Sequence, residues 1–257
     1  MSNVEVTIDR LKQEVLPELF ATPARISQYA EVQRSSQSIE QLSNLMESGS
    51  ASALADLIAE ILSRMKDASP ERIARKPTWI EKLLGADVEK LVRYQTAKAT
   101  LEQLLAEAQS LADKVRETVQ TLDQMIDAHA DQAQSLQMYI RAGREFLDEN
   151  PQAGEHDGDG VQFDRPRERF ERKLANLLTL LTSHELSVNQ MKLSRAQAVD
   201  LLDRFQETVT VLVPVWRQHA LALLTTKHMS PAMIAAASKA HQDLLASLAD
   251  SLNSIRH

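Results

Sequence analysis

The chain has 257 residues, a formal net charge of -7, only 4% aromatic residues and no cysteine. An acidic surface argues against sequence-independent nucleic-acid binding, which needs cations to displace counterions from phosphate. The missing cysteines exclude disulfides, thiolate metal sites and thiol redox chemistry. Scarce Gly and abundant Ala, Leu, Gln and Glu predict an all-α protein.

The N-terminal stretch Met-Ser-Asn-Val-Glu-Val lacks the basic start and apolar core of a secretory signal. Residues 4–20 carry Val6, Ile8, Leu11, Val15, Leu16 and Leu19, a short amphipathic segment interrupted near Pro17. A helix is expected from Pro23 to about Glu47, ended by Ser48-Gly49-Ser50. The next runs to about Asp67 with Leu54, Leu57, Ile58, Ile61, Leu62 and Met65 on one face. Ser69-Pro70 reads as an N-cap followed by Pro at the first helical position. Residues 75–85 form an irregular joint around Lys76-Pro77, anchored by Trp79, Ile80, Leu83 and Leu84.

From Asp87 to Glu149 there is no Pro and one Gly, Gly143. About 60 residues at 1.5 Å each make a helix roughly 90 Å long. Leu101, Leu105, Ala108, Ala112, Val115, Val119, Leu122, Ile126, His129, Ala133, Leu136, Ile140, Gly143 and Leu147 alternate at spacings of three and four, the mark of a coiled-coil seam. Asn150-Pro151 stops the helix, and residues 151–164 read as a hairpin tip. A second long helix over 165–228 repeats the pattern through Phe170, Leu174, Leu177, Leu181, His184, Val188, Met191, Arg195, Ala198, Leu202, Phe205, Val209, Leu212, Trp216 and His219. Pro214 should bend it. Trp216 should be buried against the first long helix near Ala97 and Ala99, whose small side chains leave room for an indole. Leu177-Leu178, Leu180-Leu181 and Leu201-Leu202 widen the apolar surface of the second helix, so a third helical layer is expected there. Ser230-Pro231 opens a last helix to about Ile255. The architecture is thus an elongated antiparallel helical bundle built on a long coiled-coil hairpin, with shorter terminal helices. It divides into residues 1–86 (short helices and joint) and 87–257 (hairpin plus C-terminal helix). No run of 18 apolar residues is present, so no membrane-spanning helix is expected and a cytoplasmic location follows.

Folding back across residues 150–164 pairs positions whose numbers sum to a constant and sets His129 opposite His184. Two imidazoles on facing helices can begin a metal site. Without a Glu-x-x-His or His-x-x-x-His pattern, a polar layer that fixes register is the favoured reading. Arg195 falls in the seam near Glu117 or Gln120 and needs pairing or snorkelling. The loop Glu155–Gly160 imitates a calcium loop, but Pro166 occupies the closing position where a Glu is required. Arg141, Arg144 and Arg172 cluster near the tip with Arg165, Arg167 and Arg169, interspersed with acids. Surface ion pairing accounts for them, with phosphate or headgroup binding as the alternative. No phosphate loop, nucleophile elbow or zinc-binding His pair on one helix is present, so no catalytic residue and no cofactor is assigned.

Two segments carry more than periodicity. Phe170-Glu171-Arg172-Lys173-Leu174-Ala175-Asn176-Leu177 and Val213-Pro214-Val215-Trp216-Arg217-Gln218-His219, with Leu136–Gly143 on the first helix, resemble the toxic-anion-resistance (TelA/KlaA-like) family over residues 70–228. Pro214, Trp216 and Gln218 match the family's Pro-x-Trp-x-x-Gln element. The resemblance implies a bacterial helical protein of tellurite or envelope-stress resistance, here as a short, C-terminally truncated member. It implies no catalytic residue. The function expected is a non-enzymatic cytoplasmic scaffold or interaction protein, with a peripheral membrane-binding protein as the alternative. A protein partner and a homo-oligomer are the associations expected, with no nucleic acid.

Overall fold

The computed structural model describes residues 7–31, 49–69, 86–154 and 165–225, and separate helical positions between 232 and 246. Among the described residues every regular element is helical. Helix α1 comprises Ile8–Arg10, a π-helical turn Leu11–Val15 and Leu16–Ala21; α2 is Ser50–Asp67 and α3 is Ala86–Glu149. Helix α4 is Pro166–Glu207, and it passes through a second π turn, Thr208–Leu212, into α5, Val213–Thr225.

The long helices form where the sequence places them, and they pack against each other as a helical bundle. Of the α3 seam, twelve of fourteen positions are buried, with Leu105 and Val119 half-buried. Helix α2 exists because its apolar side chains recur at three and four: Leu54, Ile58, Ile61, Leu62 and Met65 are all buried. Gly49 precedes it with φ 61, a left-handed conformation that costs glycine nothing.

Two expectations are corrected. Where a helix is expected to start at Pro23, the chain forms a 3-10 turn over Pro23–Gln28. The chain then turns at Tyr29 and Ala30, where Ala30 adopts φ 52; residues 32–48 lie outside the described residues. The widened apolar surface of α4 is also only partly covered. Leu201 is buried, but Leu178 and Leu180 are exposed, as are Leu186 and Leu193. The joint at 75–85, the calcium-like loop and most of the last helix lie outside the described residues.

The chain divides into two compact units: residues 1–42 with 122–193, and 43–121 with 194–257. In the first, α1 and the 3-10 turn supply the third layer. Leu11, Leu16, Leu19, Ile26 and Tyr29 share a core with Leu136, Ile140, Phe146, Phe170 and Leu174. Phe20 meets Phe146 and Phe170, each with ring centroids 5.4 Å apart. At Gly143, α3 and α4 approach closely: a Cβ there would lie 2.6 Å from Leu174 Cδ2 and 3.1 Å from Phe170 Cζ. The seam therefore uses a residue without a side chain. In the second unit, α2 supplies the third layer, and its apolar face joins Tyr94, Leu101, Ala108, Phe205, Leu212 and Trp216 in one core.

Both π turns stand two residues ahead of a proline, Pro17 and Pro214. Leu16 N–H reaches Leu11 O and Val213 N–H reaches Thr208 O, each spanning one residue more than an α turn. Proline lacks an N–H and its ring crowds the preceding turn of carbonyls. Widening that turn by one residue lets each helix pass through its proline.

Candidate functional site

The His129–His184 pairing stands in the first unit's seam, between the apolar cluster that holds Leu122 and Met191 and the core that holds Leu136 and Leu181. Nδ1 of His129 lies 2.9 Å from Nδ1 of His184, with ring centroids 5.0 Å apart. One ring must donate and the other accept, so the two imidazoles hold opposite tautomers at these atoms. Burial lowers the pKa of both, and the neighbouring His129 lowers that of His184 further. Leu122, Met125, Ile126, Val188 and Met191 form the apolar cluster on the N-terminal side of His129. Among the described residues no third His, Asp or Glu joins the pair in a metal-holding group. Glu185, next in the chain to His184, instead accepts from Gln137 Nε2 at 3.2 Å.

The arginines near the hairpin tip serve several partners. Arg141 Nε donates to Glu145 at 2.7 Å, and Lys12 Nζ reaches the same carboxylate at 3.2 Å and also pairs with Glu149. The Arg141 and Lys12 hydrogen bonds hold the Glu145 carboxyl below its ordinary pKa, and Glu149 raises that of Lys12. Arg167, which sequence reasoning treated only as part of a cluster, caps α3. Its guanidinium donates to the carbonyls of Leu147, Asn150 and Pro151 at 3.3, 3.2 and 3.0 Å. Helix C-termini carry unpaired carbonyls and partial negative charge, which a guanidinium satisfies. Arg144 and Arg172 are exposed. Arg195 is half-buried and engaged rather than bare.

In the second unit Trp216 is sealed at 1% exposure. Its indole stacks on Tyr94 with centroids 5.8 Å apart, and Nε1–H donates to Ala68 O at 2.9 Å. Of the two alanines expected beside it, Ala97 packs on the same core, but Ala99 is exposed, and the indole's polar partner comes from the end of α2. Nothing in the local sequence signals a carbonyl 148 residues away. Pro214 and Gln218 are exposed. Arg217 Nη2 reaches Glu102 at 3.3 Å. Beside the Trp216 contact, a cleft of about 400 Å³ opens between α2 and α3, lined by Arg64, Asp67, Ala68, Arg93, Thr96 and Thr100. Arg64 is already paired with Glu60 at 3.1 Å, and Asp67 and Arg93 are engaged.

A model of the toxic anion resistance protein (TelA) family matches residues 26–255. The chain belongs to the toxic anion resistance family. The family match is wider than the 70–228 segment in which the resemblance was legible, and it takes in α2 and the end of the chain. The chain is 58% identical to Protein KlaA of Escherichia coli over 255 residues, 99% of each chain. It is 20% identical to the Listeria monocytogenes protein Lmo1967 over 201 residues, 71% of this chain and 50% of that one. No solved structure matches. Among the described residues no helix is long and apolar enough to cross a membrane.

Proposed function

We propose that this member of the toxic anion resistance family works in the cytoplasm as a non-enzymatic helical scaffold that engages a protein partner. The observation that carries this reading is the use of the residues that mark the family resemblance. Trp216 is spent on packing and on the Ala68 carbonyl, and Pro214 on shaping the helix that presents it. A tryptophan committed in this way positions helices and is not available to a substrate. In the native host, a deletion strain should lose tellurite tolerance and regain it with the wild-type chain. A variant destabilised at Trp216 should restore tolerance only in proportion to its folded fraction. Reduction of tellurite by the purified chain would defeat the non-enzymatic reading.

The membrane alternative rests on amphipathic N-terminal segments and the arginine-rich tip. The apolar face of α1 is occupied within the first unit, where Leu11, Leu16 and Leu19 are buried. Flotation with vesicles of anionic lipid at low and high salt separates the two readings. Salt-sensitive flotation of the folded protein would favour the membrane.

A further inference from the structure

In the His129–His184 pair two ring nitrogens face each other across the seam at 2.9 Å, and two methionines stand in the adjoining apolar cluster. Met125 lies one turn before His129 on α3 and is buried in the adjoining apolar cluster. Side chains three or four residues apart on a helix are neighbours. Helical side chains also lean back toward the N-terminus, which carries the His129 ring over the turn holding Met125. We propose that His129, His184 and the thioether of Met125 form a binding site for a soft monovalent cation of the Cu(I) or Ag(I) class.

Three observations support the site, the second and third bearing on the class of cation. The two Nδ1 atoms are already 2.9 Å apart. Metal–imidazole bonds of about 2.0–2.1 Å put two nitrogens roughly 3.3–3.5 Å apart at tetrahedral to trigonal angles, so the seam opens by only about half an ångström. Second, among the described residues no Asp or Glu joins the pair in a metal-holding group, which disfavours hard cations and zinc. Imidazole with thioether suits Cu(I) and its congeners. Third, His129 is 8% exposed. The penalty for burying charge climbs steeply with valence, which favours a single positive charge beside the buried His129. Asp127, Asp131 and Glu185 lie within two residues of the imidazoles in the chain, are exposed, and offset that charge. Cation entry requires the donating imidazole to shift its proton from Nδ1 to Nε2 by exchange with water, which leaves both rings neutral and both Nδ1 lone pairs free. Binding therefore replaces the His–His hydrogen bond with two metal–nitrogen bonds and involves no change of oxidation state.

The test titrates the metal-free full-length chain with Ag(I) in nitrate buffer and follows the imidazole nitrogens by long-range proton–nitrogen correlation, alongside thermal melting. One tight equivalent per chain should shift the Nδ1 resonances of His129 and His184 and raise the melting temperature. His184→Leu should remove that equivalent while remaining folded, since leucine suits a seam position. Met125→Leu should weaken binding by about tenfold or more. Met191→Leu should leave it unchanged, because Met191 is seven residues, about 10 Å along the helix, from His184. Equal weakening by Met191→Leu, an Ag(I) equivalent that survives His184→Leu, or tighter binding of Zn(II) than of Ag(I) at the pair would each overturn the proposal.

Discussion

Replacing Trp216 by alanine should destabilise the second unit by about 3–5 kcal/mol, the range for truncating a fully buried aromatic side chain. The structure supports the upper part of that range. The side chain is 1% exposed, its ring stacks on Tyr94, and its N–H satisfies Ala68 O. Ala68 itself is half-buried, so water can reach its carbonyl in the variant, and the lost hydrogen bond adds only about 0.5–1.5 kcal/mol. Trp216→Phe separates the contributions. It keeps an aromatic face for Tyr94 and removes the donor, and should cost about 1–2 kcal/mol. Urea unfolding followed by far-UV circular dichroism measures both. In a Trp79→Phe background, Trp216 fluorescence should be blue-shifted and resist acrylamide. A Trp216→Ala chain within about 0.5 kcal/mol of wild type, or a readily quenched indole, would refute the argument and make this a surface for a partner.

Cysteines at positions 129 and 184 should form a disulfide within one chain on mild oxidation, seen by non-reducing electrophoresis and mass spectrometry; only inter-chain dimers would show that the helices pair between molecules. Both imidazoles have pKa values lowered by burial, so below about pH 6.5 the unfolded chain binds more protons than the folded one. Stability should therefore fall as pH drops below about 6.5 until the folded-state pKa values are passed, and a His129→Leu, His184→Leu double variant should flatten that slope in urea titrations. Gly143→Leu should destabilise by about 1–3 kcal/mol or more through overpacking against Leu174 and Phe170, read as a lowered urea midpoint. Pro214→Ala should cost less than Trp216→Ala in the same assay, because Pro214 is exposed.

The seam was legible because heptad spacing is a property of one segment at a time, and folding the chain back across the Asn150-Pro151 break then sets His129 against His184 by counting alone. What was not legible depended on distant or unsignalled backbone. The turn after Gln28 uses Ala30 in a left-handed conformation, where a glycine would have announced it. The Ala68 carbonyl has no side-chain signature, so the third layer on Trp216 could be foreseen but not its hydrogen bond. Leucine doublets overstated burial: Leu178 and Leu180 each neighbour a buried leucine and are themselves exposed. Arg167 could have been suspected as a cap from its place just after Asn150-Pro151 and the loop, but six arginines in that neighbourhood obscured which one caps the helix.

The π turn at Thr208–Leu212 works like one surplus tooth in a gear train. Upstream of it the buried positions of α4 run Phe170, Leu174, Leu177, Leu181, Val188, Met191, Ala198 and Phe205 in heptad time, with Leu201 buried one residue ahead of the beat at 202. Downstream they fall at Leu212, Val213, Trp216 and Ala220, the last of them one residue past the beat expected at position 219. Each α-helical residue turns the chain by about 100° and each residue of the wide turn by less, so winding 208–212 as ordinary α-helix with every residue kept would swing everything after it by several tens of degrees. The indole would then leave Tyr94 and Ala68 while the sequence around Trp216 stayed intact. Chains with this architecture can therefore exchange side chains freely on the outer face of α5, yet the wide turn and the count of residues between Phe205 and Trp216 change only together.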